Sequence, residues 1–180
     1  MHNKEKNMKP IPIVFALALA ACQPSPGEPG PAVQTVGASG APFAQYRTFA
    51  FGPAEQPRAP YALSARSFEV ERRAQPLIAR ELTKKGYALS ETKGDFVVQM
   101  SAGNTEQPVP SPSESEGNGF PTEHINIGEL VIDAIDGSSH TQIWHGQADV
   151  RINPQQIDDA LLQTAVQRLL AGFPTRVSAL

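Results

Sequence analysis

Two long stretches of this chain have almost nothing to bury, and they decide where a core can form. Residues 23–42 and 104–124 are rich in Pro, Gly, Ser and Glu and nearly free of large apolar side chains. Burial there cannot offset the cost of ordering the backbone. The fold must therefore be assembled from residues 43–103 and 125–180, together the size of one ordinary domain. Cys22 is the single cysteine, so no intramolecular disulfide can help. A packed apolar core has to carry the stability.

The chain divides accordingly. Residues 1–21 read as a lipoprotein signal peptide: Lys4, Lys6 and Lys9 precede an apolar run that ends in Leu19-Ala20-Ala21-Cys22. The eleven residues from Ile11 to Ala21, rising 1.5 Å each, span roughly 16 Å against a hydrocarbon core of roughly 30 Å, too short for a retained transmembrane helix. Met8 serves as well as Met1 as the initiator. Cys22 is then the lipid attachment point, each buried acyl methylene adding about 0.8 kcal/mol of anchoring. Residues 22–42 are expected to be a flexible tether, and residues 43–180 a single α+β domain with a disordered loop at about 104–124.

Removing Lys4, Lys6, Lys9 and Glu5 from 15 basic and 18 acidic side chains leaves 12 and 17, a net charge near −5. The acidic surplus is spread along the chain. That argues against a nucleic-acid partner and does not create a cation-binding block.

Tyr46-Arg47-Thr48-Phe49-Ala50-Phe51 reads as a first strand, with Phe49 and Phe51 on one face. A helix is predicted from Ser67, as N-cap, to Lys85, with Gly86 closing it and Pro76 bending or delaying it. A short strand at Tyr87 to Leu89 and a stronger one from Asp95 to Ala102 follow, the latter with Phe96, Val98, Met100 and Ala102 on one face. Residues 125–136 and 141–152 form an antiparallel hairpin turned at Asp136-Gly137-Ser138-Ser139. A last helix is expected to start at Asn153-Pro154 and to stop at Gly172-Phe173-Pro174. The order implies a two-layer sandwich: a mixed four- to five-stranded sheet, two helices on one face, and a less apolar face left open to a partner.

Tyr46-Arg47-Thr48-Phe49-Ala50-Phe51, Lys85-Gly86-Tyr87, Asp95-Phe96-Val97-Val98, Gly128-Glu129-Leu130-Val131-Ile132-Asp133, Ile143-Trp144-His145-Gly146-Gln147-Ala148 and Phe173-Pro174 together resemble the bacterial lipoprotein family called domain of unknown function 4136. The resemblance covers almost the whole domain. It implies lipobox-bearing relatives and no established activity. The chain departs from the family at Pro76, where the family's first helix is usually uninterrupted. By resemblance to the sorting rule of Gram-negative lipoproteins, Gln23 after the cysteine implies the inner leaflet of the outer membrane, facing the periplasm.

No constellation specifies a reaction. Asp133 and Asp136 are three apart near a strand end, where alternation puts them on opposite faces, so they do not form a general acid and base pair; Asp136 suits a turn cap. His124, His140 and His145 lack a helical i, i+4 pair and a cysteine partner, so no metal is expected. No serine sits in a Gly-x-Ser-x-Gly elbow. Trp144 reads as a core anchor ahead of an exposed stacking platform. Trp144, Asp133 and Asp136 are nevertheless the candidates for an interaction surface. The expected role is a lipid-anchored periplasmic accessory or interaction module, without catalysis or cofactor, partnered by the membrane and by an envelope protein or lipid. A lipid-handling protein would need an apolar groove between helices and sheet. An envelope hydrolase would need a pocket where His and carboxylate groups converge.

Overall fold

The computed structural model describes residues 30–110 and 122–176. Cys22 and the signal peptide lie outside these, as does most of the presumed loop. Eight elements follow in the order β1 (Ala32–Gly37), β2 (Thr48–Phe51), α1 (Ser67–Lys84), β3 (Ala88–Leu89), β4 (Phe96–Pro110), β5 (Thr122–Asp136), β6 (Gln142–Arg151) and α2 (Asp159–Ala171). They form one six-stranded sheet ordered β1-β6-β5-β4-β2-β3. β2 runs parallel to β3 and β4, and the other pairings are antiparallel. The two helices pack on each other and on the same sheet face, since one core joins Ala74, Ile78 and Leu82 of α1 and Val166, Leu169 and Leu170 of α2 to Phe96, Val98 and Met100 of β4. The α+β two-layer reading therefore holds, with one strand more than expected. Among the described residues no helix is long and apolar enough to cross a membrane.

The extra strand is β1, which falls inside the stretch expected to be a tether. It buries little; its backbone instead completes the free edge of β6, pairing Val33 with Ala148 and Val36 with His145. Ladder bonds can order a segment whose side chains give little burial, and composition alone does not register that. The same cause shortens the presumed loop at 104–124. β4 continues to Pro110 and β5 starts at Thr122, their registers running from Phe96↔Asp136 to Pro110↔Thr122. β6 leaves this pair at Ile127↔Arg151. From Glu106↔Asn126 to Pro110↔Thr122 no third strand among the described residues pairs with the two, the bond from Ile152 N–H to Asn126 O being the last across this edge, and they form a two-stranded arm roughly 15 Å long at about 3.4 Å per residue.

An aromatic cluster centres the core at the opposite end of the sheet. Phe96 sits 5.3 Å from Tyr87, 5.6 Å from Phe173, 5.7 Å from Tyr46 and 5.9 Å from Phe49 by ring centroids. Such pairs add about 0.5–1.5 kcal/mol each beyond the area they bury. Phe49 and Phe51 meet edge to face at 5.8 Å, as a shared face requires. Asp95 holds the entry to β2, its Oδ2 accepting from the N–H groups of Arg47 at 2.7 Å and Thr48 at 2.9 Å.

Both helix starts differ from expectation. Arg66 is the N-cap of α1 and makes no side-chain cap; Ser67 is already helical, and its Oγ accepts from the Ser64 N–H. Pro76 interrupts nothing along α1: it is exposed, as is Arg72, whose carbonyl loses its partner on the solvent side. In α2 the cap is Asp158, its Oδ1 accepting from Leu161 N–H at 2.9 Å. Asn153 caps an earlier turn instead, its Oδ1 accepting from Gln155 N–H. Two cap-like residues five apart compete here, and the later one starts the helix.

Candidate functional site

The apolar and polar faces of the sheet carry different chemistry. On the open face, opposite the helices, register aligns Gly103 with Glu129 and Asp149, and Gln99 with Asp133 and His145. His145 Nδ1 lies 2.7 Å from Asp133 Oδ1, which also accepts from Gln142 Nε2 at 2.7 Å. Asp133 is thus buried among partners, 6 % exposed, and orients His145.

Four residues further along β5, Glu129 is 7 % exposed, and its Oε2 has neither solvent nor a hydrogen-bond partner. Burial, and then the charge of Asp149 directly across the strand pair, push its carboxyl up to about 7, against the opposing pull of His145 and Arg58. Asp149 is itself engaged, accepting from Tyr61 Oη at 2.7 Å and from Gln147 Nε2 at 3.0 Å. Burial and these contacts with Asp149 hold the Tyr61 phenol well above its ordinary range.

Tyr61 belongs to the β2–α1 connection, which crosses this face. Gly52 N–H donates to Val98 O and Glu55 N–H to Met100 O, both at 2.9 Å, and Ala62 exchanges a pair of backbone bonds with Asn104. Between them Pro57 and Tyr61 pack onto Gly103, where a Cβ would overlap Pro57. Glycine at 103 is what lets the connection lie flat. Sequence reasoning missed Tyr61 and Glu129; the readable trace was the lone aromatic in a proline-marked connection.

The remaining candidates sit elsewhere. Asp136 caps the β5–β6 turn as expected, its Oδ1 accepting from Ser138 N–H at 2.8 Å and Ser139 N–H at 2.7 Å, and its Oδ2 from Tyr46 Oη at 2.5 Å. Those donors, Ser139 N–H foremost, hold the carboxyl well below the usual carboxylate range. It aligns with Phe96 on the helix side, while Asp133 faces the other way, so the two do not converge. Trp144 is 2 % exposed, its ring 5.1 Å from Phe173. A β-bulge at this point gives β6 one extra residue, and Ile143 and Trp144 are both buried. None of Trp144, Asp133 and Asp136 therefore presents a free surface, because the core, His145 with Gln142, and the turn have already engaged them. His124 pairs with Glu106 at 3.3 Å on the arm, His140 lies in the turn at φ 55°, and His145 lies on the open face. Among the described residues no three His, Cys, Asp or Glu side chains group as a metal site.

On the helix side, a cavity of about 130 Å³ opens between the starts of both helices, the middle of β4 and β5, and the end of β6. Val70, Leu130, Val150, Ile152, Leu161 and Leu162 line it, with Arg66, Asn104 and Asn153 among the polar groups. An apolar cavity of about 150 Å³ takes up benzene, so this one fits a compact group of about six carbons. The His145–Asp133 dyad lies across the sheet from it.

A two-layer α+β domain with both helices on one face of a six-stranded mixed sheet is the class this geometry defines. The family model described as Domain of unknown function (DUF4136) matches residues 33–175, and the chain belongs to that family. A DUF4136 family protein from Bacteroides thetaiotaomicron shares the fold at 13% identity and TM-score 0.50, over 80% of this chain and 96% of that one. PelC from Paraburkholderia phytofirmans, a dodecamer, does so at 9% and 0.50, over 82% and 99%. A PDZ domain protein from Parabacteroides distasonis is similar at 17% and 0.54 over 81% of this chain; the chain spans only 36% of its length. No curated protein matches the sequence.

Proposed function

We propose that the chain is a lipid-anchored, non-catalytic accessory module of the bacterial outer membrane, held to the inner leaflet through Cys22 and docking an envelope protein through the β4–β5 arm. The arm carries this reading. A two-stranded ribbon is marginal in water without something to pack on. One of its faces carries Val109 and Ile125, both half-buried, and the other carries the exposed pair Glu106 and His124. A photo-crosslinker at Ile125, with one at exposed Gln75 of α1 as control, tests it in native membranes. The reading expects a discrete protein adduct at Ile125 and none at Gln75; equal labelling at both positions contradicts it.

The cavity at the helix starts favours a second reading, in which the domain handles lipid. Its volume takes the end of an acyl chain and not the whole of one. Native mass spectrometry of the purified protein separates the two, since lipid handling requires copurified acyl chains.

A further inference from the structure

Among the described residues, Glu129 is the one buried carboxylate of the open face whose environment works against its charge. It lies 7 % exposed with Oε2 unpartnered. Asp149 stands directly opposite on β6, and like charges in that position repel. The other ionisable groups around it are His145 and Arg151 along β6, Asp133 along β5, and Arg58 and Tyr61 from the connection above; β4 offers only Gly103. Arg58 is exposed, so its compensation is screened by solvent.

The connection covering it is lightly held. Between Glu55 and Ala62 its only backbone bond among the described residues is internal, Tyr61 N–H to Arg58 O. The remaining ties are the Tyr61 phenol on Asp149 and the packing of Pro57 and Tyr61 on Gly103.

We propose that residues 53–61 are a pH-governed strap, closed over the open sheet face while Glu129 is protonated and released when it ionises. Ionisation puts an unsatisfied charge beneath the strap beside a second carboxylate; lifting the strap lets water reach both. Release uncovers the polar row Glu129, Gln147 and Asp149, so the proton decides whether this face is available.

The folded pKa lies near 7, whereas an opened, hydrated Glu129 would titrate near 4.5, so the opening equilibrium grows as pH rises between those values. Hydrogen exchange of the full-length chain, divided by the intrinsic exchange rate, reads this directly. Opening, read at the Glu55 amide that bonds to Met100 O, is expected to rise more than about tenfold from pH 5.5 to 8.5, while the core of β4 and β5 stays protected. Glu129→Gln should keep the strap closed at both pH values, and Asp149→Asn should move the opening midpoint to lower pH. Unchanged strap protection across that range overturns the proposal. So does a Glu129→Gln protein that still opens with pH, or an Asp149→Asn midpoint that does not move.

Discussion

The indole of Trp144 lies across Gly146, two residues along the same strand, so closely that a Cβ at Gly146 would overlap the ring's far edge. Phe173 packs against the ring and Ala134 sits across the strand pair, so the indole has nowhere to move. Gly146→Ala is therefore an overpacking change, expected to cost about 3 kcal/mol despite adding one methyl. Trp144→Ala should cost about 3–5 kcal/mol through the cavity it leaves. Urea denaturation of both variants checks this. A Gly146→Ala protein as stable as wild type would show that the indole is not fixed.

Glu71 gives a second prediction. Beyond Val98 the edge of β4 loses β2 as a partner, and Glu71 reaches from α1 to accept from Ala102 N–H at 3.3 Å. Burial raises its carboxyl above the ordinary value. Glu71→Gln keeps an acceptor without a buried charge and should leave stability within about 1 kcal/mol, whereas Glu71→Ala orphans the N–H and should cost about 1–3 kcal/mol. Thermal unfolding of the pair decides; equal losses would mean that the contact is not used as an acceptor.

Stability should fall as pH rises from about 4.5 to 8. Glu129 has a folded pKa raised to about 7 from 4.5, so the folded state binds more protons in that interval and loses stability relative to the unfolded chain, on the order of 3 kcal/mol when complete. Asp136 has the opposite sign: its depressed pKa stabilises above the ordinary carboxylate range and that contribution is lost as pH falls through it. Guanidinium titrations at pH 5 and 8 should show a deficit at pH 8 that Glu129→Gln removes. A deficit that persists in the variant would assign the effect to another group.

The arm should be dispensable for folding. Val109→Asp, in the chain that carries the crosslinker at Ile125, places a charge on a half-buried position of the same ribbon face, outside the six-stranded core. It should leave the midpoint of unfolding nearly unchanged, within about 0.5 kcal/mol, yet abolish the crosslink expected from this face. Loss of both together would show that the arm packs on its own domain.

Much of the fold was legible because it is written in side chains. The alternation of Phe96, Val98, Met100 and Ala102 placed β4, and Asp136-Gly137-Ser138-Ser139 placed the turn it caps. β1, the outer half of β4 and the first three residues of β5 were not, because backbone pairing orders them and composition is silent about it. The same limit hid the open face. Glu129 and Asp149 stand 20 positions apart in sequence and meet only through strand register, and Tyr61 reaches them across 88 residues. Trp144 could be read as a core anchor, but that its indole needs glycine at 146 could not.

Everything said about location depends on acylation of Cys22. Intact-mass analysis of the processed chain, isolated from membranes, measures it most directly. The account predicts a chain beginning at Cys22 that carries a thioether-linked diacylglycerol and remains in the membrane fraction, with Cys22→Ser releasing it. A processed chain with an unmodified amino terminus, or a Cys22→Ser protein that still sediments with membranes, would contradict the account.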